Sequence, residues 1–148
     1  MSTGSGRGSP AEVAVRATVV VALVIDAVVH LRLASNYQLA APGGIVGGNL
    51  FRIQAGAAIV AALYLTWRGS PVAYLVAAAV ALSAFVAVVL YRYVDVPTLG
   101  PIPAMYEPFW YGEKTLSAVA EGLGVLLAVF GLGLTGRASH STEDGAGP

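Results

Sequence analysis

Asp26 and His30 stand four residues apart in the apolar run VVVALVIDAVVHLRL, so on a helix they share one face. Glu113, Ser117 and Glu121 repeat that spacing in EKTLSAVAEG and make a polar stripe late in the chain. Between them lies FRIQA, in which Arg52 and Gln54 point to roughly opposite sides of a helix, so only one needs to face inward. Arg52 is expected to be that one, with Arg92 closer to the surface. Two carboxylates, an imidazole and two guanidiniums form a set with recognisable chemistry. Arg52 and Arg92 would hold an acidic or carbonyl-bearing head group while Asp26, His30 and Glu121 handle protons, and His titrates near neutrality.

The elements that must position these groups are membrane spans. The 148 residues are 57% hydrophobic and only 11% charged, where a soluble domain carries roughly a quarter charged residues. Apolar stretches cover about 11–33, 49–67, 72–93 and 113–134, each near the roughly 20 residues that a bilayer core requires. The Arg68-Gly-Ser-Pro71 link is short enough to force the second and third spans into a hairpin. The expected fold is all-α: an antiparallel four-helix transmembrane bundle, multi-pass in the plasma membrane. Residues 1–10 and 135–148 read as disordered tails, and 34–48 as a polar, glycine-rich connection. Four spans put both termini on one side. Arg7, Arg16, Arg68 and Arg137 then stand against Arg32, Arg52, Arg92 and Lys114, a tie in the charge count that orients membrane proteins. Cytoplasmic termini are favoured because Asp95, Glu107 and Glu113 accompany the second group.

Helix contacts are expected at small residues, Ala77/Ala81, Ala79/Ser83, Ala118/Gly122 and Ala120/Gly124, since lipid supplies no hydrophobic drive for helices to associate. At 1.5 Å per residue, Asp26 and Glu121 lie about 10 and about 12 Å inside the loop-side ends of their spans, a matching depth. The opposite half of the bundle is expected to hold no buried charge. An ionised group at that depth costs about 2.5 kcal/mol or more and should face the interior with a partner, which places Arg52 between Asp26 and Glu121. Residues 94–112 form a lid, stiffened by Pro97, Pro101, Pro103 and Pro108. Tyr106, Glu107, Trp110 and Tyr111 are its candidate contact residues, although its rings equally suit an aromatic belt at the membrane surface.

Two readings of the polar cluster follow: an ion-pair network that fixes helix register, or a one-sided cup for a small amphipathic ligand such as a quinone or lipid head group. Haem with two axial histidines is disfavoured, because the other histidine, His140, lies in the tail on the opposite side. A divalent metal on His30, Asp26 and Glu121 is allowed by ligand type, but no metal-binding spacing supports one and none is assigned. The absence of cysteine excludes thiol chemistry and Cys-ligated metals within this chain. Thinly spread charge argues against nucleic acid. Besides the bilayer, a second copy of the chain or another membrane subunit would be a natural partner.

The runs HLRLASNYQ (30–38), GGNLFRIQA (47–55) and MYEPFWYGEK (105–114) resemble small four-span integral membrane proteins of high-GC Gram-positive bacteria, most of them uncharacterised. In size and span number the chain is also similar to the DoxX-like group, some of whose members are linked to quinone-dependent sulfur oxidation or to membrane assemblies handling oxidative stress. That likeness implies a redox-linked membrane subunit as the alternative function. It carries over no functional residue.

Overall fold

The computed structural model describes residues 8–40, 47–97, 104 and 106–143, with the side chains of 38–40, 47 and 137–143 outside the description. Four helices follow one another: α1 (Pro10–Ala40), α2 (Gly47–Arg68), α3 (Pro71–Tyr93) and α4 (Gly112–Glu143). Each contains a stretch long and apolar enough to cross a membrane. The expected all-α four-helix membrane bundle is the observed architecture, and there is no strand element among the described residues.

Local chemistry sets the helix ends. At the start of α1, Ser9 Oγ accepts from the Glu12 amide at 3.2 Å, with Pro10 in the first helical position, where its missing N–H is no loss. Ser70 and Pro71 repeat the device on α3, with Ala73 N–H donating to Ser70 Oγ at 3.3 Å. Gly69 adopts φ +54° between α2 and α3, the left-handed turn that only glycine enters cheaply, and its N–H reaches Leu65 O at 3.0 Å.

Two boundaries differ from expectation. α1 passes Leu33 and continues through Ala40, because SNYQLA contains neither proline nor glycine; the first breaker in the sequence is Pro42, which disfavours helix at the residue before it. The tail expected to be disordered from Thr135 is helical to Glu143, with Thr135 Oγ1 bonding back to Gly131 O and Leu132 O at 3.1 Å. The remainder of the expected tails, 1–7 and 144–148, lies outside the described residues, as do Gly43, Gly44, Pro101 and Pro103.

α1 packs extensively on α2 and α4, α3 packs on α4, and the α2–α3 seam is the lightest between neighbours. The buried core is built from small side chains: Ala55, Ala58 and Ala62 of α2, Ala73, Ala77 and Ala81 of α3, and Ala128 of α4, keyed by Val19, Leu23, Leu65 and Tyr74. Large apolar groups such as Ile53, Val60, Leu63, Leu75 and Leu126 face outward. A membrane bundle gains nothing by hiding leucine from lipid, so close backbone approach selects what goes inside. Ala77/Ala81 and Ala120/Gly124 are buried as small-residue contacts require, whereas Ala79 and Ser83 are exposed. Gly131 is the tightest of the described glycines within the helices: a Cβ there would fall 2.2 Å from Tyr74 Cε1.

Candidate functional site

The loop-side halves of all four helices enclose a cavity of about 450 Å³, and the expected carboxylates meet at its floor. Asp26 is 1% and Glu121 2% exposed, so neither faces lipid. Asp26, His30 and Glu121 each bring one metal-ligating atom within 4.8 Å of the others. His30 Nδ1 lies 3.0 Å from the Asp26 carbonyl and 2.6 Å from Asp26 Oδ1, the second contact lacking the alignment of a full hydrogen bond. Ser117 Oγ donates to Glu121 Oε1 at 2.5 Å, while Glu121 Oε2 is buried without a hydrogen-bond partner.

The basic residue expected between the acids is elsewhere. Arg52 is exposed and donates to Asn49 Oδ1 at 3.0 Å, and the inward position belongs to Gln54, whose Nε2 reaches Asp26 Oδ2 at 3.0 Å and Val80 O at 3.3 Å. The spacing of 52 and 54 had already required that one face out. A neutral amide costs far less to bury than a guanidinium, and the long arginine side chain near a helix end can reach the membrane surface. Arg92 also stays off the cavity wall: its guanidinium sits 4.9 Å from the Tyr93 ring centre and 5.9 Å from that of Trp110, with Nε buried and lacking a hydrogen-bond partner. Glu113 begins the stripe on α4 but does not line the cavity.

The mouth is organised by Glu107. Its carboxylate accepts from Tyr37 at 3.0 Å and Tyr111 at 3.4 Å, and Lys114 Nζ lies 3.5 Å from the same oxygen. Lys114 Nζ also donates to the Glu107 carbonyl at 2.6 Å, while the Glu107 amide donates to Tyr91 O at 2.9 Å. The lid segment is thereby tied to α1, α3 and α4. Burial, then the Glu107 carboxylate beside it, pushes the Tyr111 phenol up to about 12, which keeps it a donor. Tyr106 and Tyr111 line the cavity with Glu107, whereas Trp110 does not and Phe109 is 75% exposed, as a surface ring would be.

Tyr37 and Lys114 are site residues that the sequence reading did not single out. Tyr37 joins because α1 continues past Leu33, and its ring lies 4.8 Å from that of Phe51. Lys114 is only 4% exposed although it reads as a surface charge at a span's end. No helical spacing signals it, because 107–111 are not helical and the lid backbone itself brings the Glu107 carbonyl to Lys114.

A third buried acid overturns the expectation that the other half of the bundle holds no buried charge. Glu12 is 6% exposed and accepts from the Tyr74 hydroxyl at 2.9 Å, with Arg16 Nε 3.7 Å away. No family model, no curated protein and no solved structure matches the chain.

Proposed function

We propose that the loop-side cavity binds a small amphipathic molecule, with a carbonyl- or hydroxyl-bearing ring such as a quinone favoured over an anionic lipid head group. The observation that carries this is the pairing of apolar walls with polar ends in one chamber. Leu33, Phe51, Ala84 and Val88 supply the walls, His30, Gln54 and Glu121 the floor, and Tyr37, Tyr111 and Lys114 the mouth. Its volume of about 450 Å³ falls in the roughly 300–1,000 Å³ range of ligand pockets, which share this design of apolar surface with a few convergent polar groups. The neutral ligand is preferred because neither Arg52 nor Arg92 lines the chamber, and the ammonium of Lys114 is already engaged by Glu107. A redox-linked role as a DoxX-like subunit would use the same chamber.

Mass spectrometry of organic extracts from protein purified in mild detergent tests the proposal. The expected result is one quinone or lipid species enriched near one per chain in the parent protein and lost when Ala87→Phe fills the chamber, with the variant still folded. Identical extracts from both proteins would overturn it.

A further inference from the structure

We propose that Asp26, His30 and Glu121 form a site for a single divalent transition-metal ion at the floor of the cavity. The donor geometry comes first. Three ligating atoms from two helices already lie within 4.8 Å of one another. Donors about 2.1 Å from one ion at a tetrahedral angle stand about 3.4 Å apart, a spacing between the 2.6 Å contact of His30 Nδ1 with Asp26 Oδ1 and the 4.8 Å limit of the set, so seating an ion takes side-chain rotation that frees an imidazole nitrogen from the Asp26 oxygens and evens these distances.

The outer hydrogen bonds divide each carboxylate in the same way. Gln54 Nε2 takes Asp26 Oδ2 and Ser117 Oγ takes Glu121 Oε1. Left over are Asp26 Oδ1, which touches the imidazole without a full hydrogen bond, and Glu121 Oε2, which has no hydrogen-bond partner although its side chain is 98% buried and lines the cavity. Fixing one oxygen of a carboxylate with a neutral donor while the other stays available is how outer groups orient metal ligands.

Charge balance points the same way. Two buried carboxylates face one imidazole and two neutral donors, and Arg52, expected here, donates instead to Asn49 at an exposed position. Lys114 is directed to Glu107. With both carboxylates ionised, even a protonated His30 leaves one negative charge in excess inside the hydrocarbon, whereas a divalent ion on neutral His30 brings the sum to zero. One imidazole and two carboxylates suit iron(II), manganese(II), cobalt(II) or zinc(II) rather than the all-oxygen shells of calcium and magnesium. His30 and Glu121 line the chamber, so the ion's remaining positions face it, where the oxygen of a bound ring could coordinate. The ion site does not depend on that organic ligand.

The test uses tag-free protein in detergent, stripped with chelator, in a His140→Ala background so that His30 is the one imidazole in the chain. Cobalt(II) is titrated by its visible absorbance, and copper(II) is examined by electron paramagnetic resonance. The expected result is one equivalent bound, with coupling to a single nitrogen. His30→Ala and Glu121→Gln should weaken binding by more than about 100-fold, and Gln54→Leu or Ser117→Ala by about 10- to 100-fold, the usual cost of losing an outer hydrogen bond. Asp95→Asn, an exposed acid, should change nothing. Binding no greater than in a detergent blank, or equal binding in His30→Ala and Glu121→Gln, would overturn the site. If those variants do not accumulate, a parent copper spectrum without nitrogen coupling does the same. Because the ion alone is the probe, its failure is separate from failure of the organic-ligand reading.

Discussion

Helix α1 carries one buried carboxylate in its first turn and another at its middle, and the two are treated in opposite ways. Glu12 lies beside a phenol donor and a guanidinium; Tyr74, its donor, is fully buried and packs closely on Gly131. Asp26, about 21 Å along the same helix, shares its surroundings with a second acid, an imidazole and neutral donors under a chamber. Between the two, Val19, Leu23, Ala77 and Ala128 pack without a polar side chain, so the two polar groups are not joined by a relay. Burial alone therefore does not mark a working site. At the Glu12 end the buried acid has a hydroxyl donor and a guanidinium beside it, next to a smaller cavity of about 230 Å³. At the Asp26 end two acids share one imidazole and neutral donors, with an oxygen left over and a cavity of about 450 Å³ beside it.

The comparison is most sharply broken through Tyr74. Tyr74→Ala removes the keystone of the Glu12 end and should cost about 3–5 kcal/mol, the usual range for deleting a buried aromatic side chain, read as a fall in melting temperature in detergent. Metal and organic-ligand content of the surviving folded fraction should be unchanged; a parallel loss of either would mean that the two ends are coupled.

Paired carboxamide substitutions sharpen it further. Glu12→Gln breaks a matched arrangement and should destabilise by about 1–3 kcal/mol. Glu121→Gln, made in stripped protein, removes a charge with no cationic partner other than His30 and should leave stability unchanged or raise it, because neutralising an uncompensated buried ion relieves its desolvation. Equal losses in thermal unfolding experiments would show that the Asp26 end is an ordinary structural ion network.

Smaller effects separate Gln54 from Arg52. Gln54→Leu leaves Asp26 Oδ2 without its donor and should cost about 1–2 kcal/mol, whereas Arg52→Ala at its exposed position should stay within about 0.5 kcal/mol. The reverse order would restore the arginine to the centre of the site. The last expected effect is on pH. The Tyr111 phenol is raised to about 12 in the folded protein against about 10 when free, so its contribution to holding the lid is fully present below pH 10 and is lost as pH rises through 12. Phenolate absorbance near pH 10.5 should be lower in the parent than in Glu107→Gln.

Much of this was legible beforehand for a simple reason. A helix advances by a fixed 1.5 Å per residue, so the equal depth of Asp26 and Glu121 followed from counting, as did the four spans from their apolar length. Facing is a different matter. The spacing of Arg52 and Gln54 said that they oppose one another but not which turns inward, and that choice depended on the cost of burying each head group. Glu12 was passed over because a charge at a span's first turn ordinarily meets water; its burial depends on Tyr74 arriving from a distant helix. Tyr37 and Lys114 were hidden by taking the first span to end at Leu33 and a charge in the first turn of α4 to be solvated. Asp26 and His30 show their shared face by spacing, but nothing in the sequence joins Glu121 to them, since it lies on another helix.

The ties on Glu107 determine how the chamber can be reached. Lifting its cover from the water side would break contacts to three helices together, two of them at the peptide unit itself. Parting α2 from α3 disturbs only the lightest seam of the bundle, where alanine side chains supply much of the packing. For the proposed amphipathic ligand, the α2–α3 seam would offer a lateral route from the bilayer.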